Sequence, residues 1–481
     1  MFTKTITNFK QGMTPNLYGE GIVRIEHFDN TTEQARPYRK LIASPMTGVT
    51  VNLKDLSKFA LGSTVLYALG KQVTTNLLAV GKWNTSTYGF DGVGVADGAG
   101  TFADILFWYK GSLYGLWKAD QLWKMTTAGA FTATHQTLAF TTYAQPIVHS
   151  KSGTAYWATN NVLSSFDGTT IATVHTYPTN FVITCIAEKG DFIQVIGYDS
   201  QTLISTSYLW DRDSSISTDT QKYELYNEVP YHNVTLGGTH FIITTGQSDF
   251  DTSATASLPN AKLNIRYILG DDAKLLKQFQ FSSIVLRSGA YFVSQSLYFH
   301  ATVKFLGDTD VHFVVFQLTE NGELVIAQNL AINDSGSIGD GLPGLIKIGT
   351  TFFIAGRTDG SWHTISTYPS TASEYPFFET PKYSSPNFTE DIDVLGYTVT
   401  FEPLASGASV VVKTRADAET AWTPLATFAV DDSVQGAMTG IGTNTVAERQ
   451  FRIESIGGAT ITGFSVTFNG VANSVYHYAT K

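Results

Sequence analysis

With 481 residues the chain exceeds what one hydrophobic core usually serves, so two or three domains, or one large closed repeat array, are expected. Hydrophobic residues make up 43%, aromatic residues 13% and charged residues 15%, which excludes a disordered chain. The formal net charge of -10 argues against a nucleic-acid groove, because phosphate binding needs a net basic face.

Tyr, Phe, Val, Ile and Thr dominate and favour strands, while 42 Gly against 14 Pro supply frequent turns without the proline content of a linker. The opening MFTKTITNFKQGM lacks an apolar signal core. No stretch approaches the run of about 20 apolar residues that spans a bilayer, so the expectation is a chain made in a cytoplasm, without a signal peptide and without membrane insertion.

Residues 1–60 read differently from the rest. Strand-like GIVRIEHFD is followed by the charged TTEQARPYRK and by the short, helix-compatible NLKDLSKFA, and the segment is taken as an N-terminal extended arm. Its Arg24, Arg36, Arg39 and Lys40 could pair with acids of a neighbouring subunit, although solvation accounts for each.

From Leu61 a unit recurs: apolar strand, Gly-centred turn, apolar strand, then a more polar strand. ADILFWYKGSLYGLWKADQLWKM, AQPIVHSKSGTAYWATNNVLSSFDG and VITCIAEKGDFIQVIGYDSQTLISTSYLW align on this template. Their turn pairs are Lys110-Gly111, Ser152-Gly153 and Lys189-Gly190, joined later by Ser288-Gly289 and Gly349-Thr350. The spacing of roughly 35 to 60 residues and about seven units predict a β-propeller over 61–381, an architecture that removes exposed strand edges. Stacked sandwich domains would also give short alternating strands, but adjacent hairpins resemble each other and no linker separates them. Asp211 to Asn233 and Asp251 to Lys277 are placed as loop inserts on one face, with DDAKLLKQF as a turn of helix. VGVADGAG, from Val93 to Gly100, is read as a loop between blades.

Pro369, Pro376, Pro381 and Pro386 crowd into a short stretch and mark a domain boundary. Beyond it YTVTFEPL and ASVVVKTRA alternate with period two around the turn Ser406-Gly407, predicting a β-sandwich, immunoglobulin-like or jelly-roll, over 382–481.

Chemistry-bearing residues are sparse. Cys185, the single cysteine, sits in the apolar FVITCIA and reads as a buried thiol. Asp211 with Asp213, and Asp249 with Asp251, have a spacing compatible with calcium or general acid catalysis, but they read first as solvated loop residues, since Asp is favoured in turns for its own side-chain hydrogen bonds. Asp167-Gly168 and Asp359-Gly360 read as hairpin turns. His240 and His312 lie in strand patterns as half-buried packing residues, and no histidine pair has metal-ligand spacing. Trp83, Trp108, Trp117, Trp123 and Trp157 cluster in the first three repeats, where such rings either pack between blades or stack on sugars. No catalytic, cofactor-binding or metal residue is assigned, and no cofactor is implied.

IVRIEHFD…ARPYRKL followed by FALGSTVLYALGK resembles the opening of large virion proteins of tailed bacteriophages, in which an arm precedes the first blade of a propeller. YTVTFEPLASGASVVVKTRADAETAWTPL resembles the sandwich module beside such propellers. The resemblance implies a non-enzymatic tail nozzle, hub or adaptor component located in the virion. It would assemble with copies of itself in a ring, a hexamer among the sizes considered, and with neighbouring virion proteins. The alternative is a carbohydrate-binding adhesin or glycan hydrolase using the propeller face, with a host surface glycan as partner.

Overall fold

The computed structural model describes residues 1–9, 13, 22, 24–26, 28–29, 36–37, 41–44, 53–62, 65–72, 78–84, 89–95, 105–117, 121–125, 131–137, 143–202, 204–213, 220–246, 261–269, 272–293, 295–306, 311–332, 345–348, 351–358, 361–367, 376–386, 390–416, 419, 421–439 and 445–472. These residues are all-β and fall into two compact units. The larger unit comprises Leu41–Val314 and Leu330–Thr367, and the smaller comprises Met1–Lys40, Val315–Asn329 and Tyr368–Lys481.

In the larger unit consecutive strands fold back on one another as four-stranded antiparallel sheets. The first sheet is Leu53–Leu61, Leu66–Gln72, Leu78–Asn84 and Gly89–Val95, and the second is Ile105–Tyr109, Ser112–Trp117, Gln121–Met125 and Phe131–Thr137. The third is Tyr143–Val148, Ala155–Thr159, Val162–Phe166 and Ile171–Thr176. The fourth is Phe181–Lys189, Phe192–Asp199, Ile204–Trp210 and Thr220–Tyr226. The fifth is Glu228–Leu236, Thr239–Gly246, Ala261–Leu269 and Asp272–Phe281. Next comes the hairpin Ser283–Val293 with Ser296–Lys304. The last sheet is Leu345–Ile348, Thr351–Thr358 and Ser361–Thr367, completed by Leu41–Ser44, which pairs antiparallel with Ser361–Thr367. The first strands of the successive sheets touch in order, and Leu345–Ile348 returns to Leu53–Leu61, so the array closes on itself as a β-propeller.

Local chemistry makes the hairpins. Lys110 and Gly111 take φ of 44° and 75°, and Gly237 and Gly238 take 53° and 83°; two successive left-handed residues match the twist of the flanking strands. Face-to-face stacking of adjacent sheets then buries their apolar residues. Tyr109, Tyr114 and Leu122 of the second sheet pack with Ala155, Trp157 and Phe166 of the third. Tyr156 and Leu163 of the third pack with Ile183, Ile193 and Trp210 of the fourth. Cys185 and Ile196 of the fourth meet Ile242 of the fifth.

Several sequence expectations are corrected. From Leu53 on, NLKDLSKFA lies in the strand Leu53–Leu61, and from Asp272 on, DDAKLLKQF lies in the strand Asp272–Phe281, because a nine-residue pattern compatible with a helix yields to ladder pairing with Leu66–Gln72 and Ala261–Leu269. Ser288-Gly289 is not a turn but falls inside Ser283–Val293, where the register shifts between Leu286 and Ala290; the turn comes later, near Gln295 at φ 61°. Thr220–Tyr226, Ala261–Leu269 and Asp272–Phe281 are strands within the expected loop inserts, and Val93 to Val95 ends the strand Gly89–Val95. Residues 1–60, read as one arm, are divided between the two units. Gly349-Thr350, Asp359-Gly360, and Asp249 with Asp251 lie outside the described residues.

Among its described residues the smaller unit has two larger sheets, besides the short pairing of Phe28–Asp29 with Arg36–Pro37. One runs Phe2–Ile6, Ile461–Ala472, Glu390–Phe401, Gln435–Thr439. The other contains Arg24–Glu26, Phe377–Glu379, Glu448–Ile456, Ser409–Ala416 and Thr423–Phe428 in that order, and Glu26 also pairs in parallel with Ile326. The sheets meet face to face through aromatic rings: Phe451 lies 5.4 Å from Phe464 and 6.1 Å from Phe468, and Phe378 lies 6.5 Å from Phe464. Ser406-Gly407 is a turn, as expected, with Gly407 at φ 81°.

Because Phe2–Ile6 completes a sheet in one unit and Leu41–Ser44 completes a sheet in the other, deleting residues 1–44 is expected to lower the melting temperature of both units. Calorimetry of the truncated chain checks this, and an unshifted transition for either unit would show that its terminal strand contributes nothing.

Candidate functional site

Among the described residues of the larger unit, two features hold chemistry-bearing groups: the turns at the ends of the first strands, and a notch between the fourth and fifth sheets.

At the turns, a side chain of one sheet caps the turn of the next. The Tyr109 hydroxyl donates to the Gly153 carbonyl at 2.6 Å and lies 3.1 Å from the Phe166 carbonyl. One sheet further on, His149 Nε2 lies 3.1 Å from the Gly190 carbonyl, and its Nδ1 accepts the Ser152 N–H at 3.2 Å. His149 is fully buried, with Glu188 3.8 Å from Nε2 and the Arg212 guanidinium 3.4 Å from Nδ1. Burial pushes the Glu188 carboxyl up, but hydrogen bonds from the Ser150 hydroxyl and N–H, with the neighbouring His149 and Arg212, hold it below the usual range. Ser152, His149 and Glu188 thus resemble a hydrolytic triad in composition, yet Nδ1 is occupied by a backbone N–H and the ring has no surface. This arrangement pins turns and has no open position for a substrate.

The notch, about 430 Å³, is lined by Tyr223, Glu224, Leu225 and Tyr226 of the fourth sheet and by Glu228, Arg266, Asp272, Ala273 and Lys274 of the fifth. Its floor is an ion pair. Arg266 Nε donates to Glu228 Oε2 at 2.9 Å and Nη2 to Oε1 at 2.5 Å, while Nη1 donates to the Ala273 carbonyl at 2.8 Å. Thr244 Oγ1 donates to Glu228 Oε2 at 2.5 Å, so the carboxylate is held from two strands. The fork geometry fixes both side chains in place. At the rim the Tyr226 hydroxyl donates to Glu224 Oε2 at 2.9 Å, and this hydrogen bond raises the phenol above its usual range. Tyr226 is 66% exposed, whereas Tyr223 three residues earlier is buried.

The residues singled out from sequence do not converge. Asp211 Oδ1 accepts the Asp213 N–H at 2.9 Å, so this pair closes its own turn. Asp167 caps the turn at Gly168 through the N–H groups of Thr169 and Thr170, which lower its carboxyl to about 2. Cys185 is buried and its thiol is pushed up to about 12 by desolvation. His240 and His312 are buried more deeply than expected, at 7% and 9% exposure. Trp157 packs between the second and third sheets, and Trp108 stacks on Tyr67 at 5.8 Å; the side chains of Trp117 and Trp123 lie outside the described residues. The notch residues were missed because 211–233 and 251–277 were read as inserts. The signal was present in KYELY, where buried Tyr223 and Leu225 alternate with exposed Glu224 and Tyr226.

In the smaller unit, Arg24, Glu379, Arg452 and Lys413 stand opposite one another across four strands. Arg452 lies 3.6 Å from Glu379 and 3.0 Å from Glu454, and Lys413 lies 2.7 Å from Glu454. Its guanidinium sits 3.4 Å over Phe377, and that of Arg415 sits 4.3 Å over Trp422. Of the other candidate arm charges, the side chains of Arg36, Arg39 and Lys40 lie outside the described residues.

Two outcomes follow. Arg266→Met leaves Glu228 without its counter-charge and should cost about 2 to 4 kcal/mol in urea unfolding, toward the low end for a buried pair because the notch is open to water. Burial holds His240 at about 4 against 6.5 in the unfolded chain. The unfolded state then takes up more protons between those values, so this stability is present above pH 6.5 and is lost as pH falls toward about 4. The loss amounts to up to about 3 kcal/mol, and His240→Phe should flatten that limb of the pH–stability curve.

No protein-family model matches the chain, and no curated protein matches it. Solved structures do. The WD40 β-propeller domain of Doa1 is 10% identical with a TM-score of 0.43, covering 69% of this chain and 97% of that one. Oligogalacturonate lyase from Vibrio parahaemolyticus is 9% identical with a TM-score of 0.43, covering 73% and 99%. Exo-β-1,3-galactanase from Phanerochaete chrysosporium is 10% identical with a TM-score of 0.30, covering 89% and 100%. All are remote, and the architecture of this chain rests on its own strand order and ring closure.

Proposed function

We propose that this protein is a non-catalytic structural component that works by assembly, a virion protein of the tailed-bacteriophage type, in which a seven-bladed propeller serves as a rigid disc and a β-sandwich as a contact module. The observation that carries the reading is the outer strand of the fifth sheet. Asp272–Phe281 ends its sheet, and among the described residues no strand pairs with its outer side. Where the register shifts between Ile265 and Arg266, the consecutive Leu275 and Leu276 are both exposed, at 45% and 40%.

A ten-residue edge carrying apolar side chains is what strand addition by another subunit would cover. Lys274 and Lys277 on the same strand keep the edge soluble in the free chain and suit an acidic partner, such as a copy of a chain whose net charge is -10. The neighbours are copies of itself in a ring and other virion proteins.

The test is the mass of the purified full chain in solution together with its symmetry by electron microscopy. A closed oligomer is expected, broken to monomers by Leu275→Asp with Leu276→Asp without a lower melting temperature. A wild-type chain that stays monomeric at micromolar concentration would overturn the reading.

A further inference from the structure

We propose that the notch between the fourth and fifth sheets binds a neutral saccharide, with the Tyr226 ring as its stacking face and Glu224, Asp272 and Lys274 as partners for the sugar hydroxyls. This goes beyond the assembly reading and does not depend on it.

Tyr226 carries the inference. An aromatic ring 66% exposed on the lining of a cavity offers an uncovered face, and its hydroxyl, which donates to Glu224 at 2.9 Å, adds to its orientation without being the contact that stacks. A sugar ring covers such a face with its C–H groups while its hydroxyls reach outward. The surrounding groups suit hydroxyls because they are mixed: the carboxylates of Glu224 and Asp272 accept, and the Lys274 ammonium donates. A volume of about 430 Å³ lies in the range of small-ligand sites.

The chemistry of the floor argues against other ligand classes. An anion would face the three carboxylates of Glu224, Glu228 and Asp272 against two cations, and Arg266 already commits three of its five N–H groups to Glu228 and the Ala273 carbonyl. A metal ion would need clustered ligands, and among the described residues no group of three His, Cys, Asp or Glu side chains is placed to hold one. A wholly apolar ligand would leave the rim carboxylates desolvated without partners. The floor is also already ordered, since Glu228 is held by Thr244 and Arg266 on two neighbouring strands, so little need rearrange on binding.

The experiment is saturation-transfer difference NMR on the full chain with glucose, galactose, mannose, N-acetylglucosamine and their disaccharides as probes. Transfer to the ring protons of at least one neutral sugar is expected. Tyr226→Ala should weaken binding at least about tenfold, Tyr226→Phe should retain most of it, and Asp272→Asn should weaken it less. Because Tyr226 is exposed, Tyr226→Ala should melt with wild type, which separates a lost site from a lost fold. No transfer from any probe, transfer unchanged in Tyr226→Ala, or a stronger response to sialic acid or a sugar phosphate than to neutral sugars would overturn the proposal.

Discussion

A four-stranded antiparallel sheet is too small to bury its own faces, and the larger unit depends on each sheet being covered by the next. The clusters at successive interfaces show the same solution with different residues. Tyr109, Tyr114, Trp157 and Phe166 fill the second interface with aromatic rings, the third mixes Trp210 with Ile183 and Ile193, and the fourth uses Cys185, Ile196 and Ile242. Edge contacts such as Tyr114 on Phe166 at 5.1 Å add orientation to burial. An open stack would leave its two end faces bare, so closure of the ring follows from the same requirement.

Stacking alone leaves polar backbone at the turns, and the turn caps answer that. Tyr109 and His149 occupy equivalent places in consecutive sheets and each reaches the turn glycine of the following sheet. Phenol and imidazole are chemically different, but both carry an N–H or O–H at the end of a flat ring long enough to cross the gap. The buried histidine is therefore best understood as a donor placed by sheet geometry. Its charged neighbours, Glu188, Arg212 and Asp191, fasten the same corner, where Lys151 reaches Asp191 at 2.5 Å.

The smaller unit follows a different rule. Its two sheets share an aromatic core, while one of them carries a half-buried lattice of charge on the face away from that core. Glu379 and Glu454 side chains are only 5% and 7% exposed, and the cations that neutralise them keep 22% to 27%. Buried carboxylates of this kind persist only when cations and aromatic faces compensate them. Desolvation lowers the Arg415 guanidinium pKa, partly offset by Glu379, and the nearby Arg24 and Arg452 lower it further.

How much of this was legible beforehand follows from the range of each signal. Period-two alternation and the Lys-Gly, Ser-Gly and Gly-Gly turns are local, so the strand-rich class, the repeated hairpin and the turns at Gly111, Gly153, Gly190 and Gly407 could be read directly from the residues. NLKDLSKFA and DDAKLLKQF were misread because helical spacing over nine residues is weak evidence, and partner strands decide such segments. The pairing of Phe2–Ile6 with Ile461–Ala472, more than 450 residues away, leaves no trace in either stretch. The notch depends likewise on two neighbouring sheets, since Tyr226 and Arg266 come together only when the fourth and fifth stack. What the sequence by itself determined was therefore the hairpin, because its turn and alternation are encoded within a few residues. The closure of the ring, the division of the N-terminal segment and the notch were decided only by the tertiary structure, because each depends on pairing or stacking between distant strands.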